Sequence, residues 1–366
     1  MFAKSLLAAR CTTEIRYQLA VACVAVIAAL LAACGGEGEP SPPGSTPDAA
    51  ASVTQAATLA AGDARFLLAR RNVIESITLS GEATGIVALE ENVRILEVAR
   101  SPAGSQIAFV VELPAHTNTD GQLDFGADLY VSDLDGVNLR LVSEHATVGD
   151  YFEAPAWLDD ATLLVGWRGF DARGSTSRIE RIDVASGTRE VVLQDAAMGT
   201  LSPDRRSIVY TAIDPTTRVQ RLLMEDIADS DLPRVLVDEN DGLALFSAVA
   251  FSPDATRLAF AAVDLTGGVP PPEPPDPPGA DRGEALRATT HPFAQDVWLI
   301  NPADATGLHR IADIAENMPS ISWSGDGSSL YVLGPGFLWR LDPATGAAEQ
   351  LRQSNDRGAI IWLEGG

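Results

Sequence analysis

The chain has 366 residues and is strongly acidic, with 50 aspartate and glutamate residues against 26 lysine and arginine residues and a formal net charge of −24. This charge argues against nucleic acid as a partner, because nucleic-acid binding depends on basic side chains that neutralise phosphates, and it favours cationic partners. Lys4 is the one lysine of the sequence, which excludes a lysine Schiff base or a phosphate-binding loop in the body of the protein.

Residues 1–33 have the order of a secretory signal peptide. Three basic residues precede the apolar run 19–33, which is too short to be read as a membrane span. Cys34 follows a Leu-Ala-Ala sequence directly, and this arrangement resembles the lipobox of bacterial lipoproteins. The resemblance implies that Cys34 becomes the lipidated first residue of the mature protein. The alternative is an ordinary signal peptide with a cysteine at its cleavage site by chance.

A lipidated Cys34 predicts where the protein resides. Lipoproteins carry two or three acyl chains on this cysteine, and two or more chains give a stable membrane anchor. Gly35 at the next position indicates the outer membrane, with the protein facing the periplasm of the bacterial cell envelope. Cys11 and Cys23 lie in the removed segment, so the mature chain has no pair of cysteines for a disulfide.

An internal repeat follows a predicted flexible linker. The linker, residues 34–60, has no aromatic residue and begins rich in Gly, Pro and Ser, whereas residues 61–366 form the predicted folded domain. Its repeat is an apolar strand, a turn of the Ser-Pro-Asp type and a second apolar strand. A further hairpin follows most copies, so each unit has four strands, like a blade of a β-propeller. The five turns lie at Ser101-Pro102, Leu158-Asp159, Ser202-Pro203, Ser252-Pro253 and Ser324-Gly325.

The two ends of the domain complete one another. Residues 358–362 match the innermost strand of a repeat, and residues 65–69 match its second strand. One blade is therefore expected to be shared by the termini, which would close the ring and remove free sheet edges. Five internal blades and one shared blade predict an all-β, six-bladed propeller.

The recurring aromatic residue, Ser-Pro-Asp turn and Asp-x-Asp-Gly turn resemble the WD40-like propeller repeats of the TolB family. The resemblance covers roughly residues 63–366 and implies the same six-bladed fold. It does not extend to the additional N-terminal domain of that family, since the linker stands in its place.

The sequence contains no recognisable catalytic motif. A G-x-S-x-G nucleophile elbow is absent, and the four histidines are scattered without metal-binding spacing. Asp133-x-Asp135-Gly136 matches only the start of a calcium loop and coincides with a hairpin turn. We therefore predict no catalytic residue, no metal and no cofactor, and we favour a binding protein over an enzyme.

Long connections gather on one side of the predicted propeller. The loops 111–127, 166–177 and 264–294 lie on the same side as the links between successive blades, and we call this side the long-loop face. The Ser-Pro-Asp turns on the opposite face are read as structural. Aromatic and arginine residues make binding hot spots, and the loop 166–177 offers Trp167, Arg168, Phe170, Asp171 and Arg173 as partner-binding anchors. The alternative is that Trp167 and Phe170 pack against their own blade.

Acidic residues on the same face predict a negatively charged funnel. The face is expected to hold a periplasmic protein or a cationic ligand, with the protein acting as a binding scaffold. The alternative is a metal-assisted hydrolase or lactonase, which would require four or more carboxylate or amide ligands at the channel axis. The predicted funnel residues are Glu97, Glu144, Asp150, Glu153, Asp238, Glu239, Asp241 and Glu316.

Replacing Cys34 by Ser should abolish membrane anchoring, because the thiol is the atom that receives the lipid. We expect the variant to be released as soluble protein or to remain unprocessed, as measured by cell fractionation and intact mass. Unchanged fractionation and mass would contradict the lipoprotein assignment.

Overall fold

The structure is a computed structural model that describes residues 65–363 apart from 79, 118–120, 122, 172–173, 229–231, 267–293, 317 and 354–357. The leader, Cys34, the linker and most of the loop 264–294 lie outside the described residues. Within the described part of the chain, no helix has the length and apolar character needed to cross a membrane.

The described chain is built from β-strands and one 3-10 turn, Glu239–Asp241. In chain order the strands are β1 (Arg65–Arg70), β2 (Val73–Thr78), β3 (Ala83–Ala88), β4 (Arg94–Arg100), β5 (Gln106–Glu112), β6 (His116–Thr117), β7 (Leu123–Asp124), β8 (Ala127–Asp133), β9 (Arg140–Ser143), β10 (Tyr151–Trp157), β11 (Thr162–Asp171), β12 (Gly174–Asp183), β13 (Arg189–Gln194), β14 (Ala196–Leu201), β15 (Ser207–Ile213), β16 (Gln220–Asp226), β17 (Arg234–Val237), β18 (Leu243–Phe251), β19 (Leu258–Asp264), β20 (Gln295–Asn301), β21 (Thr306–Glu316), β22 (Ser320–Trp323), β23 (Leu330–Leu333), β24 (Phe337–Leu341), β25 (Ala348–Gln353) and β26 (Gly358–Leu363).

The strands form the sheets of a propeller, which confirms the predicted all-β class. Four sheets have four strands each, in the orders β26-β1-β2-β3, β14-β15-β16-β17, β18-β19-β20-β21 and β22-β23-β24-β25. A fifth sheet has eight strands, β4-β5-β8-β9 and β10-β11-β12-β13, joined by a single parallel pairing of Tyr151 with Ala127. Strands β6 and β7 form a small separate hairpin within the loop 111–127.

The innermost strands form a ring around the channel. Strand β4 contacts β10, and the contacts continue through β14, β18, β22 and β26 back to β4. Strand β26 pairs antiparallel with β1 over its whole length, from Arg65 opposite Leu363 to Arg70 opposite Gly358. The prediction that the two ends of the domain share one sheet is therefore confirmed.

Each Ser-Pro-Asp turn is closed by the side chain of its serine. Ser252 Oγ donates to Asp254 Oδ1 over 2.6 Å and accepts the backbone N–H of Arg257 over 2.9 Å. Ser202 and Ser324 make the same pair of bonds in their turns. In these three sheets the serine therefore links the innermost strand to the second strand.

Arginine side chains fasten adjacent sheets to one another by donating to backbone carbonyl groups. A guanidinium group suits this role because it presents several N–H donors in a rigid plane and remains charged. Between different sheets, the donor atoms and their distances are Arg205 Nε to Trp157 O at 3.2 Å, Arg218 Nη1 to Ser175 O at 3.0 Å and Arg257 Nη2 to Gly327 O at 2.8 Å. Arg140 Nη1 makes the same kind of bond, to Val184 O at 2.6 Å, between the two four-strand halves of the eight-stranded sheet.

Replacing Phe66 by Ala should strongly weaken the closure of the ring. The Phe66 ring is fully buried and makes edge contacts with Tyr331 and Trp362, at centroid distances of 4.7 and 5.0 Å. We expect a loss of about 3–5 kcal/mol in the free energy of unfolding, as for other buried Phe-to-Ala changes, measured by urea denaturation. The exposed Leu265 gives the matched control variant Leu265→Ala, and equal losses in the two variants would contradict this role.

Candidate functional site

The candidate site is a pair of carboxyl groups on two neighbouring innermost strands, Glu97 on β4 and Glu153 on β10. Both strands lose their regular pairing at this point, after Ile95 on β4 and after Glu153 on β10. Ala154 has a positive φ of 46°, and its backbone N–H donates a hydrogen bond to Glu97 Oε2. The β-bulge therefore turns an amide of β10 towards β4 and holds the carboxyl group of Glu97 beside Glu153.

The buried Glu153 lies against strand β11 at a glycine. A Cβ atom at Gly166 would stand 2.7 Å from Glu153 Cγ, so a larger residue would displace the carboxylate. Arg168 Nε lies 4.0 Å from Glu153 Oε2, and its guanidinium carbon lies 5.6 Å from the ring centroid of Tyr151. Because the Arg168 side chain is 48% exposed, it connects the carboxyl pair to solvent.

The two carboxyl groups influence each other electrostatically. Burial, followed by the charge of Glu153, raises the pKa of Glu97 from 4.5 to about 7. The N–H of Ala154 and the charge of Arg168 act against this rise. Glu97 is therefore partly protonated near neutral pH, and a cation placed beside the pair would favour its ionised form.

An ion pair and a tyrosine lie next to Arg168. Arg94 Nη2 and Glu112 Oε2 are 2.7 Å apart. Burial, followed by the charge of Glu112, raises the pKa of Tyr151, while Arg168 and Arg94 oppose that rise. The Tyr151 hydroxyl thus stays protonated and available as a hydrogen-bond donor at this end of the channel.

Trp167 is not an exposed binding anchor, which corrects the first prediction for the loop 166–177. Only 7% of its surface is exposed, because its ring belongs to the core cluster that contains Phe152. The guanidinium carbon of Arg178 lies 3.5 Å from the ring centroid, and Glu180 holds Arg178 through a 2.5 Å ion pair. Trp167 therefore packs within its own sheet, as the alternative interpretation had it.

The structure describes the other predicted anchors to different extents. Arg168 is the one whose described side chain reaches the carboxyl pair and solvent together. Phe170 and Asp171 lie at the end of β11, but their side chains are not described. Arg173 lies outside the described residues.

Most of the remaining funnel carboxylates are held by partners of their own. Glu316 is buried and accepts hydrogen bonds from the indole N–H of Trp339 and the backbone N–H of Gly336. Asp150 is also buried, whereas Glu144 is exposed.

The acidic turn before β18 is likewise engaged. Asp238 and Asp241 cap it reciprocally, each side chain accepting from the backbone of the other end of the turn. Arg221 makes two 2.7 Å bonds to Glu239 and lowers the pKa of that carboxyl group to about 2. These three residues therefore stabilise their own turn.

The structure adds two features that sequence reasoning did not identify. The first is Gly166, whose missing side chain makes room for Glu153; nothing in its local sequence signals this. The second is His145, which bridges Asp124 and Asp128. Among the described residues, no group of three or more His, Cys, Asp or Glu side chains is arranged to hold a metal ion.

Comparisons with known proteins concern the fold. No family model matches the sequence, and no curated protein matches it. TolB from Acinetobacter baumannii is similar in structure with a TM-score of 0.55 and 14% identity, covering 82% of this chain and 67% of that one. The tricorn protease matches with a TM-score of 0.50 and 14% identity over 79% of this chain and 26% of its own. An oligogalacturonate lyase in complex with manganese matches with a TM-score of 0.47 and 12% identity, covering 83% of this chain and 84% of that one. At these identities the likeness shows the fold alone, a TolB-like propeller.

Glu97 should make the folded protein less stable as the pH rises from about 4.5 to about 7. Its raised pKa means that the folded state keeps a proton which the unfolded chain has already lost, so stability falls across this interval. At about 1.4 kcal/mol per pKa unit, we expect a loss of about 3 kcal/mol that Glu97→Gln removes. Urea unfolding at several pH values measures how steeply the free energy of unfolding changes with pH. The exposed Glu190 supplies the control variant Glu190→Gln, and an unchanged slope in Glu97→Gln would contradict the assignment.

Proposed function

We propose that this protein is a lipid-anchored, periplasm-facing binding scaffold that holds a cationic partner at the long-loop face of its propeller. The observation that carries the proposal is the carboxyl pair of Glu97 and Glu153, two acidic groups that share Arg168 as a neighbouring cation. The anchor at Cys34 and the outer-membrane location rest on the leader sequence alone.

The sheets support a count of six blades for the scaffold. The eight-stranded sheet contains two successive four-strand meanders that meet at one residue pair, so we count it as two blades. Six innermost strands then surround the channel, one from each blade. Each blade-to-blade link brings the chain back to the long-loop face, where an inserted segment can meet several blades at once.

A guanidinium or ammonium group is the chemistry that suits the carboxyl pair. Entry of such a cation between Glu97 and Glu153 would replace the proton that Glu97 holds near neutral pH. Arg168 stands at the side of the pair with half its surface free, so it can receive a carboxylate or carbonyl group of the same partner. A basic segment of a periplasmic protein has both groups, and Phe170, Asp171 and Arg173 are proposed to contact it beyond Arg168.

A metal-assisted hydrolase or lactonase is the second candidate. The observation in its favour is that Glu97 is partly protonated near pH 7 beside a second carboxyl group, an arrangement that serves acid–base hydrolysis. Lactone or ester turnover by the mature protein that depends on added Mn²⁺ or Ca²⁺ and disappears in Glu97→Gln would support this candidate over the scaffold.

The scaffold is tested by titrating the mature protein with a short arginine-rich peptide in a calorimeter. We expect the double variant Glu97→Gln/Glu153→Gln to bind at least about tenfold more weakly, since each tenfold step is about 1.4 kcal/mol and losing a buried charge partner costs more than that. Wild-type affinity should increase from about pH 6 to about pH 8 as Glu97 loses its proton.

The matched control is Glu190→Gln/Glu349→Gln, which makes the same change of net charge at two exposed carboxylates paired with arginine on outer strands. We expect this control to bind the peptide with little change. Equal affinities for the two double variants would mean that the carboxyl pair is not the cation site.

A further inference from the structure

His145 joins two strands through both nitrogen atoms of its ring. Nδ1 lies 2.7 Å from Oδ1 of Asp128 on β8, and Nε2 lies 3.2 Å from Oδ1 of Asp124 on β7. The backbone N–H of His145 also donates to Asp128 Oδ1 over 2.8 Å. The imidazole therefore connects the link between β9 and β10 to the segment that leads from β7 into β8.

A doubly protonated ring satisfies both contacts of this bridge. A neutral imidazole has one N–H and can donate to one carboxylate, which leaves a nitrogen lone pair facing the other. An imidazolium donates to both carboxylates. Burial acts to lower the pKa of His145, but the hydrogen bonds and charges of Asp128 and then Asp124 outweigh it, so the pKa is raised above 6.5.

The other titratable groups near the ring also favour its charged form. Glu144 precedes it in the chain, and the buried Asp150 ends the same link. Burial, Asp128 and Glu144 raise the pKa of Tyr130 on β8 to about 12, so its hydroxyl stays neutral. Asp124 and Asp128 contact the ring directly, and the charge of each favours the imidazolium.

Gly126 lets the ring lie directly on the backbone. A Cβ atom at this position would stand 2.6 Å from the His145 ring and 2.7 Å from the carbonyl oxygen of Asp150. Backbone hydrogen bonds run across the same contact, from Gly149 N to Phe125 O at 2.7 Å and from Ala127 N to Asp150 O at 3.0 Å. The bridge and these bonds therefore form one unit that can loosen together.

Beneath the bridge are polar atoms whose burial opposes the closed arrangement. Asp150 Oδ1 and Trp167 Nε1 are both buried without a hydrogen-bond partner, and both residues meet at Gly169, where a Cβ atom would stand 2.5 Å from the Asp150 oxygen. A buried polar atom without a partner is costly, and solvent would relieve that cost if the contact opened. Hydration of these two atoms would therefore offset part of the cost of opening the contact.

We propose that His145 is a pH-sensitive pin that fastens the 144–150 link to strands β7 and β8 in its protonated form and releases the Asp124 side when it loses the proton. Both fastened segments belong to the long-loop face, so the pin would govern how that face is presented to a partner. This last consequence rests on the proposed function, whereas the pin itself does not. The contribution of the pin to the stability of this contact is complete below about pH 6.5. It is lost as the pH rises through the raised pKa of His145.

The test is amide hydrogen exchange of the mature protein without ligand, at several pH values and after correction for the intrinsic exchange rate. We expect the protection of the Gly149 and Ala127 amides to fall at least about fivefold as the pH rises through the pKa of His145. An NMR titration of the ring, followed in the same samples, should place that pKa above the ordinary histidine value.

Two variants isolate the pin. His145→Asn should show low protection at both ends of the pH range, and Asp124→Asn should show a reduced pH response and a lower pKa of His145 while it keeps the histidine. The exposed His309 gives the control His309→Asn, which should behave as the wild type. Protection that does not change with pH in the wild type, or a ring pKa at or below the ordinary value, would overturn the proposal. Neither result depends on peptide binding, so failure of the pin and failure of the scaffold are separate outcomes.

Discussion

The antiparallel pairing of β26 with β1 is the constraint on which the rest of the structure depends. Strand β26 contacts β22 on one side and β4 on the other, so it completes the ring of innermost strands. Glu97 lies on β4, which is held in the ring between β26 and β10. The position of the carboxyl pair therefore depends on a strand contributed by the opposite end of the domain, and closure of the fold and formation of the site are one event.

The domain contains two kinds of charged group. One kind keeps its charge at all relevant pH values, and the other gains or loses a proton near neutral pH. Arginine side chains fasten neighbouring sheets by donating to carbonyl groups, and a guanidinium keeps its charge at any pH that the folded protein meets. In contrast, the pKa of Glu97 is raised mainly by burial, and the pKa of His145 is raised by the neighbouring Asp128 and Asp124. The arginine contacts are thus insensitive to pH, whereas Glu97 and His145 lie in the part of the ring formed by the eight-stranded sheet, which supplies two of the six innermost strands.

Local sequence patterns were sufficient to predict the strands and turns. They could not predict contacts between side chains that are distant in the chain. The strands, the serine turns and the shared sheet follow from alternating apolar residues and turn chemistry, which are readable in short windows. Trp167 was predicted to be an anchor because aromatic and arginine residues are dense in 166–177, yet it lies on strand β11, where Arg178 and the core enclose it. Glu97 and Glu153 were both expected in the funnel, but their pairing depends on the bulge at Ala154, for which alanine gives no local signal.

The arrangement of β1 has a mechanical consequence. All six of its residues are paired with β26 on one side and with β2 on the other. The chain that precedes Arg65 leads back to the proposed anchor at Cys34, so any pull between the membrane and the domain is applied at the first residue of this strand. Force along the axis of a doubly paired strand loads both ladders of hydrogen bonds in shear, and many bonds must break together before the strand moves. Tension along this axis would therefore be shared by two hydrogen-bond ladders at once.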